Sequence, residues 1–99
     1  MYILGDIGNS ETKVYLVNSK NRIIKNITFM SKKINDKILN NKFKSLIKDY
    51  TKIDKILFCS VVPKSFNLIK KFISKKSKKK CFEVKDLKLK SLINIKVNY

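Results

Sequence analysis

The spacing of apolar residues changes from a strand-like to a helical period after the first third of the chain. Tyr2–Ile7 is a short apolar run, residues 12–17 are rich in β-branched and apolar side chains, and residues 22–29 follow a polar "NSKN" segment. Such runs, separated by turn-forming residues, predict three strands that pair in antiparallel succession.

Helical spacing begins near residue 35. The apolar residues that recur at intervals of three and four are Leu39, Phe43, Leu46, Ile47 and Tyr50. They predict a helix over residues 35–50, with Asn35 or Asp36 as its N-terminal cap. The near-continuous apolar run at residues 55–62 predicts a strand covered on both faces, which Pro63 ends.

A second helix is predicted over residues 64–75 from the spacing of its apolar positions, Phe66, Ile69, Phe72 and Ile73. The run "SKKSKKK" then places lysines where they complement the helix dipole. Residues 81–84 and the alternation within 87–97 predict further extended segments. The order β-β-β-α-β-α-β predicts one α/β domain over residues 1–99 with a mixed five-stranded sheet.

Composition makes an anionic partner worth considering. The 99 residues include 24 Lys+Arg against 7 Asp+Glu, which gives a formal net charge of +17. Nearly all of this charge is lysine, and the aromatic residues are mostly phenylalanines at core-like positions rather than a base-stacking surface. We therefore expect a solvated lysine surface and no specific nucleic-acid partner.

Cysteine and histidine usage argues against a zinc site. The chain has no histidine, and Cys59 and Cys81 form no CxxC pair. Both are expected to be buried structural thiols in a reducing cytosol. The sequence shows no signal-peptide pattern and no apolar run near the ~20 residues that a membrane helix needs, so a cytoplasmic protein without a membrane partner is expected.

The segment "DIGNS" brings one acid and a glycine together where the first strand turns back. Asp6 at the carboxyl end of a strand is expected in the cleft where open α/β sheets bind ligands, and a carboxylate there suits Mg²⁺. Gly8 is expected to take a positive φ, so that the N–H groups of the turn can approach a phosphate, with Asn9 and Ser10 adding short polar side chains. The alternative is an ordinary hairpin in which Gly8 and Asn9 only make the turn and Asp6 hydrogen-bonds to it.

Three segments together resemble the N-terminal half of type III pantothenate kinases, the bacterial family related to the Bvg accessory factors. They are "DIGNSETK" at residues 6–13, "SVVP" at 60–63 and "DLKLKSLINIKV" at 86–97. The family belongs to the superfamily of acetate and sugar kinases, Hsp70 and actin. The resemblance implies a ribonuclease H-like (actin-like ATPase) domain.

The resemblance also implies roles for individual residues. Asp6, Gly8, Asn9 and Ser10 match the first phosphate motif of the family, so Asp6 would help to bind Mg²⁺ and the ATP phosphates. Lys13 matches a lysine of part of the family and would neutralise phosphate charge, although an exposed strand lysine explains it equally well.

The "SVVP" segment would shape the floor of the cleft. Core packing is the expected role of its Val61 and Val62. Further implied cofactors and partners are a monovalent cation, potassium or ammonium, together with pantothenate and ATP as substrates and a homodimer for the complete protein.

The catalytic base of the family lies in a Gly-Ala-Asp-Arg motif, expected beyond Tyr99, so no catalytic residue is predicted in this chain. Asp86 is expected to be a loop or turn acid. The chain then corresponds to the first domain of a two-domain kinase that transfers the γ-phosphoryl of ATP to the 4′-hydroxyl of pantothenate in coenzyme A biosynthesis, inactive alone. The alternatives are a non-catalytic regulatory protein of the same fold and a basic nucleic-acid-binding domain.

Overall fold

Five strands form one mixed sheet in this computed structural model, which describes residues 1–84 of the chain. The elements are β1 (Tyr2–Ile7), β2 (Glu11–Val17), β3 (Ile23–Met30), α1 (Asp36–Leu46), β4 (Lys55–Ser60), α2 (Pro63–Lys76) and β5 (Cys81–Glu83). The strands lie side by side as β3-β2-β1-β4-β5. The pairs β1–β2 and β2–β3 are antiparallel, whereas β1–β4 and β4–β5 are parallel.

The predicted mixed five-stranded sheet with two helices is therefore confirmed, as is the antiparallel pairing of the first three strands. The alternation at residues 87–97 and the expected loop acid Asp86 lie outside the described residues.

Helix α1 is shorter than predicted. Asn35 caps its start, because its side-chain oxygen accepts the N–H of Ile38 at 2.9 Å. The helix ends at Leu46, since Ile47 is extended with φ −121° and ψ 112°. Tyr50 belongs instead to a separate 3₁₀ turn, Tyr50–Lys52. The prediction that the helix reaches Tyr50 is wrong because two different elements contribute apolar side chains at helical spacing.

Helix α2 confirms the second predicted helix. Pro63 occupies its first turn, where a missing N–H leaves no bond unmade and the fixed φ suits the helix. Its buried side chains include Phe66, Ile69, Phe72 and Ile73. Lys75 and Lys76 lie in the last turn, where their charge complements the helix dipole.

The two faces of the sheet carry different clusters of side chains. On the helix face, strand residues pack with α1 and α2 in the main core; these strand residues include Ile3, Ile7, Val14, Ile27, Phe29, Ile56 and Phe58. On the second face, a smaller cluster is built around Leu4, Tyr15, Val17 and Cys59. Strand β4 contributes to both clusters, which confirms that it is covered on both faces.

Both cysteines are buried, as predicted, and they belong to different clusters. Cys59 lies in the cluster of the second face, and Cys81 lies in the main core. Burial raises the pKa of the Cys81 thiol to about 12, so this group stays protonated at neutral pH. None of the helices within residues 1–84 has the length and apolar character needed to span a membrane.

Candidate functional site

Asp6 lies near the carboxyl end of β1, the middle strand of the sheet. Its neighbours across the strands are Lys13 on β2 and Cys59 on β4. Because alternate residues of a strand share a face, Asp6 lies on the second face with Leu4. The carboxylate is half-buried, whereas the Lys13 side chain is exposed. This edge, where β1 and β4 end in parallel, is the edge at which open α/β sheets bind ligands.

Tyr15 shares the second face with Asp6. It pairs with Leu4, two residues before Asp6, and its side chain is buried. Burial, and to a smaller extent the charge of Asp6, raises the pKa of the Tyr15 phenol above its usual value. The phenol therefore stays neutral, and Lys13 is the charged side chain directly opposite Asp6.

The turn between β1 and β2 consists of Gly8, Asn9 and Ser10. The N–H of Gly8 donates to the carbonyl of Glu11 at 2.9 Å, which continues the pairing of the two strands into the turn. The side chains of Asn9 and Ser10 are exposed. The structure thus brings these three candidate residues together, two positions after Asp6 in the chain.

The expectation of a positive φ at Gly8 is wrong. Among residues 1–84, no glycine has a positive φ, and the residue that does is Asn21, with φ 63°. The φ of Gly8 therefore lies outside the left-handed region that favours glycine, and its N–H bonds to the carbonyl of Glu11. A Cβ at Gly8 would lie 3.1 Å from the carbonyl oxygen of Glu11, so the missing side chain allows a close approach of two backbone segments rather than a left-handed turn.

A connected network of buried hydroxyl groups holds this turn. Ser31 donates its hydroxyl to the carbonyl of Gly8 at 2.7 Å and its backbone N–H to the carbonyl of Ser10 at 3.0 Å. Since the single hydroxyl hydrogen of Ser31 is used on Gly8, Thr12 is the donor in the 2.8 Å bond between the two side chains. The hydroxyl of Ser65, in the first turn of α2, donates to the carbonyl of Ser31 at 3.3 Å.

Sequence reasoning missed Thr12, Ser31 and Ser65, although they are the buried polar side chains of the described part of the chain. Ser31 follows β3 directly and lies 23 residues from Gly8. Only the register of β2 on β3 brings it to the turn, and a serine after an apolar strand carries no signal of such a role.

A cleft of about 340 Å³ opens beside the β1–β2 turn, on the side of Ser31 and the first turn of α2. Its lining residues are Asn9, Ser31, Lys32, Ile34, Val62, Lys64, Ser65 and Leu68.

The two valines of the "SVVP" segment differ in burial. Val62 packs against the main core, as expected, but Val61 is 57% exposed, so the prediction that Val61 packs in the core is wrong. Val61 continues the pairing with β1 through a bond from its N–H to the carbonyl of Ile7 at 3.0 Å, and its side chain is left outside the core.

Asp6 fits one kind of metal site and not another. No group of three or more histidine, cysteine, aspartate or glutamate side chains suited to a metal occurs within residues 1–84. Mg²⁺ is often bound by one or two carboxylates together with water and substrate phosphates. A single half-buried carboxylate at the edge of the sheet fits a magnesium ion shared with a nucleotide, and it does not fit an all-protein cage.

Comparison with known proteins decides the family. The family model of type III pantothenate kinase matches residues 2–99. The chain belongs to the type III pantothenate kinase family. It is also 56% identical over 99 residues to the type III pantothenate kinase of Pelagibacter ubique (strain HTCC1062). This alignment covers 100% of the chain and 40% of the relative, so the chain spans less than half the length of that pantothenate kinase. The resemblance drawn from the three motifs is confirmed.

Proposed function

We propose that this chain is the N-terminal domain of a two-domain kinase that transfers the γ-phosphoryl group of ATP to the 4′-hydroxyl of pantothenate in coenzyme A biosynthesis. Family membership supports the reaction. The observation that carries the proposal is the position of Asp6, at the edge where β1 and β4 end and two residues before a turn that buried hydroxyls hold. A carboxylate beside a fixed turn suits a metal-bound phosphate, because Mg²⁺ is often held by one or two carboxylates together with substrate phosphates.

The proposal includes the fold of the superfamily. Three antiparallel strands are followed by two strands that pair in parallel on the other side of β1, with both helices packed on one face. This arrangement supports a ribonuclease H-like domain of the actin-like ATPase type.

Each candidate residue has a role in this proposal. Asp6 would hold Mg²⁺, which when bound neutralises charge on the ATP phosphates. The turn residues Gly8, Asn9 and Ser10 would lie against the phosphates, and Lys13, directly across from Asp6, would add a positive charge to them. The group that accepts the proton of the pantothenate hydroxyl would come from the part of the kinase beyond this segment.

The proposal also covers the cellular location, the oligomeric state and the monovalent cation of the complete kinase. A cytoplasmic homodimer that also uses potassium or ammonium is what the family resemblance implies. These features concern the complete kinase, and we assign none of them to a residue within 1–84.

A hybrid enzyme tests the function. The chain would be joined to the remaining part of the Pelagibacter ubique relative, and ATP- and Mg²⁺-dependent phosphorylation of pantothenate would be measured. We expect the hybrid to be active and the 99-residue chain alone to show no activity above background, because one domain cannot close around the phosphates and exclude water.

The role of Asp6 is tested in the same hybrid. Asp6→Asn keeps the size of the side chain and removes its charge, and we expect it to lower kcat/KM by about 100-fold or more. Asp36→Asn is the matched control, since Asp36 is an exposed acid in the first turn of α1, and it should leave kcat/KM unchanged. Turnover by the short chain would refute the two-domain proposal, and an active hybrid indifferent to Asp6→Asn would refute the role of Asp6.

A further inference from the structure

Ser31 holds two carbonyl groups of the β1–β2 turn at once. Its side chain binds the carbonyl of Gly8, and its backbone binds the carbonyl of Ser10. The Ser31 side chain is 4% exposed, and its own partners, Thr12 and Ser65, are equally inaccessible. Every buried polar side-chain atom within residues 1–84 has a hydrogen-bond partner, so the network is complete as it stands.

The network lies on the helix face of the sheet. Thr12 is two residues from Val14, a member of the main core, and therefore points to the same side. Ser65 belongs to α2, which packs on that face. The carbonyl of Gly8, bonded to Ser31, is accordingly directed toward the helix face, whereas Asp6 lies on the second face.

The orientation of the Gly8 carbonyl also determines the direction of the Asn9 N–H, because both belong to the same planar peptide group. No cis peptide bond occurs within residues 1–84, and in a trans peptide the carbonyl and the following N–H point in opposite directions. Since the carbonyl of Gly8 is held toward Ser31, the N–H of Asn9 points away from Ser31. The side away from Ser31 and its helix-face network is the second face of the sheet, which carries Leu4 and Asp6.

We propose that Ser31 is a positioning residue that orients the turn, so that the backbone N–H of Asn9 faces a phosphate bound beside Asp6. This inference rests on the proposed function. A phosphate that shares a metal ion with a carboxylate still has oxygens that accept hydrogen bonds, and a fixed backbone N–H on the same side binds one of them without reorganisation. The glycine turn therefore owes its geometry to a buried serine from another strand and not to a left-handed glycine.

Two buried serines provide a matched pair of variants. Ser31→Ala removes the hydroxyl that binds the turn, whereas Ser65→Ala removes a hydroxyl that binds only the carbonyl of Ser31. Both side chains are buried, and both lose a hydrogen bond to a backbone carbonyl. Ser31→Ala also deprives the Thr12 hydroxyl of its acceptor, so a difference between the variants at the turn reports the loss of the Ser31 hydroxyl with its bonds to Gly8 and Thr12, and not a general loss of stability.

Hydrogen exchange of the 99-residue chain tests the positioning without any ligand. In Ser31→Ala, the amide of Gly8 should exchange about tenfold faster, because the turn opens more often once one of its bonds is removed. Ser65→Ala should leave that rate unchanged. Equal rates at Gly8 in Ser31→Ala and the wild type would overturn the positioning role, whether or not the protein is a kinase.

The hybrid kinase tests the phosphate contact. Ser31→Ala should raise the KM for ATP by about tenfold and leave the KM for pantothenate unchanged. Ser65→Ala should leave both KM values unchanged. An inactive wild-type hybrid would refute the proposed function and leave the exchange result to decide the positioning. An active hybrid in which Ser31→Ala loosens the turn and leaves the KM for ATP unchanged would overturn the proposal that the turn presents an N–H to a phosphate.

Discussion

The sheet has two hairpin turns, and they are held in opposite ways. The turn between β2 and β3 is stabilised by Asn18, whose side-chain oxygen accepts the N–H groups of Lys20 and Arg22 at 2.9 and 3.0 Å. Its backbone also bonds to Asn21 and Arg22. The Tyr2 hydroxyl adds one contact from outside, to the side chain of Asn21. This turn is built almost entirely from its own five residues.

The turn between β1 and β2 depends on distant residues. Its carbonyl groups at Gly8 and Ser10 are bound by Ser31, and the hydroxyl of Ser31 is bound by Thr12. The strand that leads into it is also fixed from outside, because the ring of Phe58 covers Gly5. The turn with a proposed function is thus oriented by the tertiary structure, while the other turn only has to reverse the chain.

The largest effect is expected where β1 enters the first turn. A Cβ at Gly5 would lie 2.0 Å from the ring of Phe58, and both residues are buried in the sheet. Gly5→Ala should lower the free energy of unfolding by about 3 kcal/mol through overpacking, measured by urea denaturation. Phe58→Leu in the Gly5→Ala background should recover part of the lost stability. A Gly5→Ala variant as stable as the wild type would show that the Phe58 ring does not fix β1 at Gly5.

Ser31→Ala comes next. The substitution leaves the carbonyl of Gly8 without its donor and the hydroxyl of Thr12 without its acceptor in a buried site. We expect a loss of about 2 kcal/mol in the free energy of unfolding, close to the loss for Ser65→Ala. Ser45→Ala is an exposed control, since its hydroxyl bonds within α1. If Ser31→Ala lowers the free energy of unfolding no more than this control does, the hydrogen bonds of Ser31 do not stabilise the turn.

The second turn should be more tolerant. Asn18→Ala removes two side-chain bonds to backbone N–H groups that water can reach, so the loss should be about 1 kcal/mol. In urea denaturation this variant should fall between Ser31→Ala and the wild type. A larger loss for Asn18→Ala than for Ser31→Ala would reverse the comparison between the turns.

The smallest effect is expected at Gly8. An added Cβ meets the carbonyl oxygen of Glu11 at 3.1 Å, a tight contact that a small backbone shift relieves, and φ is not positive. The strain and the reduced entropy of the unfolded chain should nearly cancel, so Gly8→Ala should change the free energy of unfolding by less than about 0.5 kcal/mol. A loss of several times that amount would indicate a conformation that only glycine can adopt.

Much of the fold could be predicted from local spacing, and the site could be predicted only in part. Apolar periodicity located the strands and α2, because each buries a regular face. It failed at the end of α1, where Ile47 and the 3₁₀ turn at Tyr50–Lys52 continue the same spacing. Asp6 and its turn were found from the motif, whereas the residue that holds the turn was not.

A change of register explains why Ser31 could not be found by counting along the hairpin. The pairing of β2 with β3 shifts by one residue between Leu16 and Val17. Continuing the register at the start of the hairpin, where Val17 pairs with Ile23, would place Met30 opposite Ser10. The irregularity moves Ser31 into that position, where its N–H reaches the carbonyl of Ser10. A one-residue irregularity in a strand is not visible in composition or periodicity.

In the proposed kinase, the turn held by Ser31 and the carboxylate of Asp6 act on the same phosphate. A double-mutant cycle in the hybrid kinase measures this directly from kcat/KM for ATP in the wild type, Asp6→Asn, Ser31→Ala and the double variant. If both act on one phosphate, Ser31→Ala should lower kcat/KM by about tenfold in the wild type and by clearly less in the Asp6→Asn background. Equal factors in both backgrounds would show that the two residues act independently and would contradict the claim.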